Sequence, residues 1–290
     1  GSVLGRRSPI PITVAKGYGP LPEWVGRNTL VFGVSYSGNT EETLEALEDA
    51  HDRGARAVIV SSGGALAERA VRYGIARVSI PGGLQPRASL GYLALPILAV
   101  LQKIGLAPVL DPDVAETISV LEDLAKRCDR SVTTGDNPAK ALARRLLGGV
   151  PVINGSTGLT ATAAMRFKCD LNEYGKVPAF WNFLPEANHN EIVGWSGTTS
   201  TSLDDFVVVF LRDDGEHPRV SARFDITKSV IDGNVRDVIE LRSAGTSALA
   251  RLFSLVFVTQ LAAVYVGLAN EVDPGPVAPI EDLKSALARS

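Results

Sequence analysis

Thr29-Leu30-Val31-Phe32-Gly33-Val34-Ser35-Tyr36-Ser37-Gly38-Asn39-Thr40 is a short apolar run that opens into a loop of hydroxyls and glycine. Glu41 to Arg53 then takes up helical spacing with acidic residues in its first turn, so the stretch reads as strand, loop, helix. Such a loop sets unpaired backbone N–H groups and the positive end of a helix dipole beside short hydroxyl side chains, which suits a small anion. A phosphate monoester fits that chemistry. Ser and Asn also serve as ordinary turn and cap residues, and spacing alone leaves both readings open. The loop holds no lysine and no Gly-x-x-x-x-Gly-Lys pattern, which argues against a nucleoside triphosphate.

Outward from this point the pattern repeats. Ala57-Val58-Ile59-Val60 is a second strand before Ser61-Ser62-Gly63-Gly64, a helix is expected near Ala65 to Tyr73, and Ile75 to Ile80 supplies a third strand. Arg87 to Gly105 is expected as a largely apolar helix kinked at Pro96, and Asp111 to Arg130 as an amphipathic one. A second cycle starts at Val150-Pro151-Val152-Ile153, passes through an Asn-Gly-Ser-Thr-Gly loop from Asn154, and continues as a helix through Leu171. Later come strand-like Phe206 to Leu211, a helix near Val220 to Ile231, and strand-like Val235 to Leu241.

Strands alternating with helices predict an α/β fold in two lobes, each a parallel sheet flanked by helices in a flavodoxin-like three-layer sandwich. The expected boundaries are a first lobe at 1–110, a helical linker at 111–148, and a second lobe with C-terminal helices at 149–290. Open parallel sheets bind ligands at the carboxyl ends of their strands, so Ser35 to Thr40 and Asn154 to Thr157 are the expected site walls.

Composition narrows the partners. The chain of 290 residues is 45% apolar and 21% charged with a formal net charge of −3, and no basic block is present to neutralise a nucleic-acid backbone or an anionic membrane. The only cysteines, Cys128 and Cys169, form neither a disulfide framework nor a metal-spaced pair, which points to a reducing compartment and hence the cytoplasm. No basic start, apolar run and small-residue cleavage site is found at the N-terminus. Leu252 to Ala269 carries no charge over 18 residues, the lower limit for crossing a bilayer. Ser254, Thr259 and Gln260 interrupt it and Glu271 and Asp273 follow, so a buried helix is expected and no membrane contact.

Four segments together resemble one family. Ser35 to Thr43 resembles the phosphosugar loop of SIS-domain proteins, whereas Pro81-Gly-Gly-Leu-Gln-Pro-Arg87, Leu171-Asn-Glu-Tyr-Gly-Lys176 and Leu184-Pro-Glu-Ala-Asn-His-Asn-Glu191 resemble bifunctional phosphoglucose/phosphomannose isomerases. The loop alone identifies only the superfamily; the Asn-Glu and His-Asn-Glu segments are far more specific. The resemblance runs from about Pro11 to Lys284. It implies two SIS-type lobes, and a further N-terminal strand with a Gly-Gly-Ser turn that is not found here, so the first lobe is expected to lack both. The family's Asp-Pro-Thr-Pro-Val reads Asp273-Pro-Gly-Pro-Val277 in this chain, without the hydroxyl.

The resemblance also implies roles. Aldose–ketose isomerisation needs a base that moves a proton between adjacent carbons and a second group that handles protons on oxygen. Glu173 is implied as the C1–C2 base, its alternative being a solvated helix-end charge. His189 is implied in opening the pyranose ring, which suits an imidazole titrating near neutrality; its alternative is a surface turn residue. Lys284 resembles a lysine that assists ring opening or balances charge, and Arg87 is placed to stabilise an enediolate or to cap the following helix. Ser35, Ser37 and Thr40 are implied as ligands of the sugar 6-phosphate.

Three histidines, His51, His189 and His217, are scattered without ligand spacing, so no metal is expected, and no Gly-x-Gly-x-x-Gly follows a strand, so no nucleotide cofactor is expected. The family habit implies a homodimer, with Arg87–Gly105 and Leu252–Ala269 available for the contact. A noncatalytic sugar-phosphate sensor is the alternative. An amidotransferase-like lobe ranks last, because no N-terminal cysteine nucleophile is present.

Overall fold

The computed structural model describes residues 1–196, 202–287 and 289. The chain divides into two compact units, one of residues Arg6–Leu110 and one of the residues from Asp111 onward together with Ser2–Gly5.

In the first unit, β1 (Leu30–Val34), α1 (Glu41–Asp52), β2 (Arg56–Ser61), α2 (Gly64–Tyr73) and β3 (Ala76–Ser79) build a parallel sheet in the order β1-β2-β3. Val34 pairs with Val60 and Val60 with Val78, so the three strands end level with one another. Right-handed crossovers running in one direction put α1 and α2 on the same face, where Leu47, Ile59, Leu66 and Ala70 form the core. The apolar helix expected from Arg87 begins later: Pro86–Ala88 is a short 3-10 turn, Ser89 interrupts, and α3 spans Leu90–Lys103 with Pro96 inside it.

The second unit contains α4 (Asp111–Arg127), α5 (Pro138–Leu146), β4 (Val150–Ser156), α6 (Leu159–Glu173), β5 (Phe180–Leu184), α7 (Glu191–Gly194), β6 (Phe206–Arg212), α8 (Pro218–Ile231), β7 (Asp237–Arg242), α9 (Ala248–Ala269) and α10 (Ala278–Leu287). Its parallel sheet has the order β5-β4-β6-β7, the doubly wound arrangement that reverses direction beside its first strand. The reversal puts α6 on one face and α8 on the other. Leu184, Val208, Phe210, Phe224 and Ile231 pack as a core under α8.

The segment expected as a linker supplies α4 and α5, and both pack on α9 inside this unit, as α6 does. Among the described residues α9 is the one helix long and apolar enough to cross a membrane, and half of its most apolar window is buried within the chain. Asn154-Gly155-Ser156, expected as loop, is the end of β4 and pairs with Asn182, Phe183 and Leu184. Glycine is required there because a Cβ on Gly155 would lie 2.3 Å from the carbonyl carbon of Thr160, where α6 crosses the strand.

Candidate functional site

The loop between β1 and α1 is held by its own side chains. Ser35 is buried, and its hydroxyl lies 2.7 Å from that of Thr40 while accepting from Gly38 N–H at 3.1 Å. Ser37 and Thr40 are exposed, and Ser37 accepts from Asn39 N–H at 3.2 Å. Thr40 is the N-cap of α1 but makes no side-chain capping bond, because its hydroxyl is shared with Ser35. The N–H groups of Glu41 and Glu42, which open α1 and precede its first helical hydrogen bonds, are the ones that can face an anion.

The next loop is locked against this one. Gly38 has φ +73°, and a Cβ there would fall 1.9 Å from the carbonyl oxygen of Gly63. Asn39 Oδ1 accepts from Ala65 N–H at 2.9 Å and the Gly38 carbonyl accepts from Leu66 N–H at 2.9 Å, so the start of α2 is capped by the first loop. Of the two neighbouring helix starts, α2 has Ala65 and Leu66 N–H engaged by the first loop, whereas in the first turn of α1 Thr43 N–H bonds the Thr40 carbonyl at 3.1 Å. The acidic first turn of α1 is also engaged: Tyr18 donates to Glu41 at 3.0 Å, and that bond raises the Tyr18 phenol above its ordinary range.

Arg87 lies buried in the 3-10 turn that follows β3. Tyr36, from the first loop, reaches this segment: its hydroxyl donates to the Pro81 carbonyl at 3.1 Å and accepts from Leu84 N–H at 2.7 Å. Ser35, Ser37, Thr40 and Arg87 thus all follow the carboxyl ends of β1 and β3 in one unit.

Glu173 is the last residue of α6 and is partly exposed. Asn172 donates to the Val177 carbonyl at 2.8 Å, and Lys176, in the left-handed region at φ +55°, donates to the Glu173 carbonyl at 2.6 Å and to the Pro276 carbonyl. A Cβ on Gly267 would lie 2.4 Å from the Tyr174 carbonyl oxygen, so α9 passes directly under the Glu173 turn.

His189 ends a 3-10 turn after β5 and is exposed, with no hydrogen bond to its ring among the described residues. Its neighbours are anchored instead. Asn188 donates to Thr227 at 2.7 Å, and Glu191 accepts from Asn182 at 2.5 Å and from Trp195 at 3.0 Å.

Glu173 precedes the first residue of β5 by the short loop 174–179, and His189 follows the last residue of that strand. Glu173 and His189 therefore flank opposite ends of β5, a five-residue strand of roughly 17 Å. Lys284 is exposed on α10, none of whose residues is buried.

The motif residues Tyr36, Asn39, Lys176 and Glu191 were given no task by the sequence, though each lies inside a quoted segment. Ser62, whose N–H and hydroxyl both bond the Tyr36 carbonyl, was signalled only by the repeated glycine loop after β2. Among the described residues no three His, Cys, Asp or Glu side chains cluster as metal ligands would.

Residues 135–287 match the model of the bacterial phospho-glucose isomerase C-terminal SIS domain. The bifunctional phosphoglucose/phosphomannose isomerase of Caldicellulosiruptor bescii is 42% identical over 279 residues, covering 96% of this chain and 82% of that protein. The protein of the same name from Aquifex aeolicus is 37% identical with the same two coverages. The crystal structure of a glucose-6-phosphate isomerase like protein from Thermus thermophilus shares the fold, with a TM-score of 0.60 at 21% identity over 93% of this chain and 90% of that one. Identity of this depth, carried across nearly the whole chain and more than four fifths of each of these two relatives, makes the chain a member of the bifunctional phosphoglucose/phosphomannose isomerase family.

Proposed function

We propose that the protein is an aldose–ketose isomerase that interconverts glucose 6-phosphate and mannose 6-phosphate with fructose 6-phosphate through a cis-enediol. The observation that carries this reading is Glu173, a partly exposed carboxylate fixed at the end of α6 within the Asn-Glu-Tyr-Gly-Lys segment. A noncatalytic sensor has no use for a base held in this way.

In the proposed reaction the N-terminus of α1, with Ser37 and Thr40, binds the 6-phosphate, and Ser35 shapes the loop from within. His189 protonates the ring oxygen and removes the proton from the C1 hydroxyl, which opens the ring. Glu173 takes the proton from C2 of the aldose and returns it to C1. The electron pair released at C2 forms the C1–C2 double bond of the enediol as O1 takes a proton; the O2–H pair then forms the C2 carbonyl as O2 loses its proton, and the double-bond pair takes the returned proton at C1. Glucose and mannose 6-phosphates differ at C2, the centre that becomes planar, so one base serves both provided the enediol turns to present either face. Arg87 stabilises the enediolate, Lys284 balances charge, and the chemistry calls for no metal or cofactor.

The placement of Glu173 and His189 at opposite ends of β5 supports a homodimer in which one copy lends its histidine to the other's substrate. The two free thiols fit a reducing compartment, and the reading places the enzyme in the cytoplasm. Deuterium exchange at C2, followed by NMR in heavy water, tests the assignment. Glu173→Gln is expected to bind fructose 6-phosphate while exchange falls by roughly a thousandfold. Exchange at the wild-type rate would show that another residue is the base.

A further inference from the structure

Tyr36 lies where three loops meet. Its carbonyl oxygen accepts from Ser62 N–H at 3.0 Å and from the Ser62 hydroxyl at 2.6 Å, which ties it to the loop after β2. Its hydroxyl then brackets a turn of the loop after β3, donating to the Pro81 carbonyl and accepting from Leu84 N–H. That turn is exposed along Pro81 to Pro86 and contains Gly83 at φ +82°, so it has few apolar contacts of its own to fix it.

Directly beyond it the chain stiffens. Gln85 caps the 3-10 turn, its carbonyl accepting from Ala88 N–H and from the Ser89 hydroxyl, both at 2.9 Å, and Arg87 is buried inside that turn. The Arg87 turn is held on one side by its burial and its continuity with α3, and on the other by the exposed glycine turn. The hydroxyl of Tyr36 holds it at both ends.

We propose that Tyr36 is the positioning residue for Arg87, coupling the anion-binding loop to the guanidinium through its bracket on the Pro81–Leu84 turn. It acts by setting where Arg87 stands relative to Ser37 and Thr40, so that phosphate binding and charge stabilisation are built on one frame. The catalytic part of this proposal rests on the isomerase reading; the tether itself does not.

Tyr36→Phe keeps the ring and removes only the bracket. Hydrogen exchange of the full-length protein, read by mass spectrometry on peptides covering residues 81–90, is expected to quicken by roughly ten- to thirtyfold, the effect of losing two ordinary hydrogen bonds. Unchanged exchange there would overturn the tether whatever the protein's activity. In steady-state kinetics the same variant should lose about tenfold in kcat with fructose 6-phosphate while KM changes by less than about twofold. Adding Tyr36→Phe to Arg87→Lys should then cost little more than Arg87→Lys alone. Independent, multiplying effects, or a loss confined to KM, would overturn the link to Arg87. A wild-type protein without isomerase activity would count against the function proposed above, and the exchange result would still decide the tether.

Discussion

Lys176 donates its ammonium to the backbone carbonyl of Glu173 at 2.6 Å, so the residue that follows the α6 turn in a left-handed conformation closes that turn on itself. The same ammonium reaches the Pro276 carbonyl, which ties the segment ahead of α10 to the end of the helix that bears the carboxylate.

Lys176→Met is expected to free both the Glu173 turn and the C-terminal segment without emptying a core site. Because Lys176 is exposed, melting should shift by no more than a few degrees. Activity should fall by about tenfold through misplacement of the base. Wild-type kcat in the variant would show that the latch is ornamental to catalysis.

A mixing experiment tests the opposite-end geometry. Glu173→Gln is expected to be inactive as a pure protein, and His189→Ala to keep only the low turnover that the open-chain fraction of substrate allows. Subunit exchange between them should restore about a quarter of wild-type activity, since half the dimers are mixed and each mixed dimer holds one intact pair. No recovery after verified exchange would place both groups in the service of one copy.

The two kinds of residue in the anion loop should separate experimentally. Ser37→Ala with Thr40→Ala should weaken fructose 6-phosphate by roughly tenfold in calorimetry, with melting lowered by only a few degrees through the lost bonds to Ser35 and Asn39. Gly38→Ala should instead destabilise the fold, because it forces a side chain into a left-handed position against the Gly63 carbonyl. Equal loss of affinity and stability in both variants would deny the distinction.

Stability should carry an acid signature from Glu116. This carboxylate accepts from the Thr246 hydroxyl and from the N–H groups of Thr246 and Ser247 ahead of α9, and those bonds hold its pKa at about 2 rather than 4.5. The stabilisation is full above the unfolded pKa of 4.5 and is lost as pH falls toward 2. Glu116→Gln should therefore melt roughly 2–4 °C below wild type at pH 7, with the gap closing as the pH is lowered through that range. A gap that stays constant from pH 7 to about 2.5 would exclude the carboxylate charge as its source.

Metal independence is tested by exhaustive dialysis against EDTA. Full isomerase activity is expected to remain, with no gain on adding zinc. Loss on dialysis with stoichiometric recovery by zinc would overturn the acid–base scheme.

What the sequence disclosed follows from how local each signal is. The β1–loop–α1 unit was legible because strand run, hydroxyl loop and acidic helix start are adjacent in the chain. β5 was not, because Phe180-Trp181-Asn182-Phe183-Leu184 is a short edge strand without alternation, with Phe180 and Trp181 exposed, and Pro178 and Pro185 close on either side. Asn154-Gly155-Ser156 has turn composition, yet its glycine answers to the approach of Thr160, a tertiary demand that no local pattern carries. Glu173 and His189 were picked out by resemblance, with chemistry to match. Their separation by the length of β5 was invisible, because residues 16 apart in sequence tell nothing about which end of a strand each one flanks.

The order of synthesis gives α9 a protection that its composition alone would not. The helices that cover it, α4, α5 and α6, all precede it in the chain and leave the ribosome first. The most apolar helix of the protein therefore emerges into a surface already made, and it spends little time as the exposed hydrophobic segment that a chaperone or a membrane-insertion machine would seize. A rearranged gene that moved α9 ahead of its three covering helices would keep every contact of the finished fold and lose that shelter.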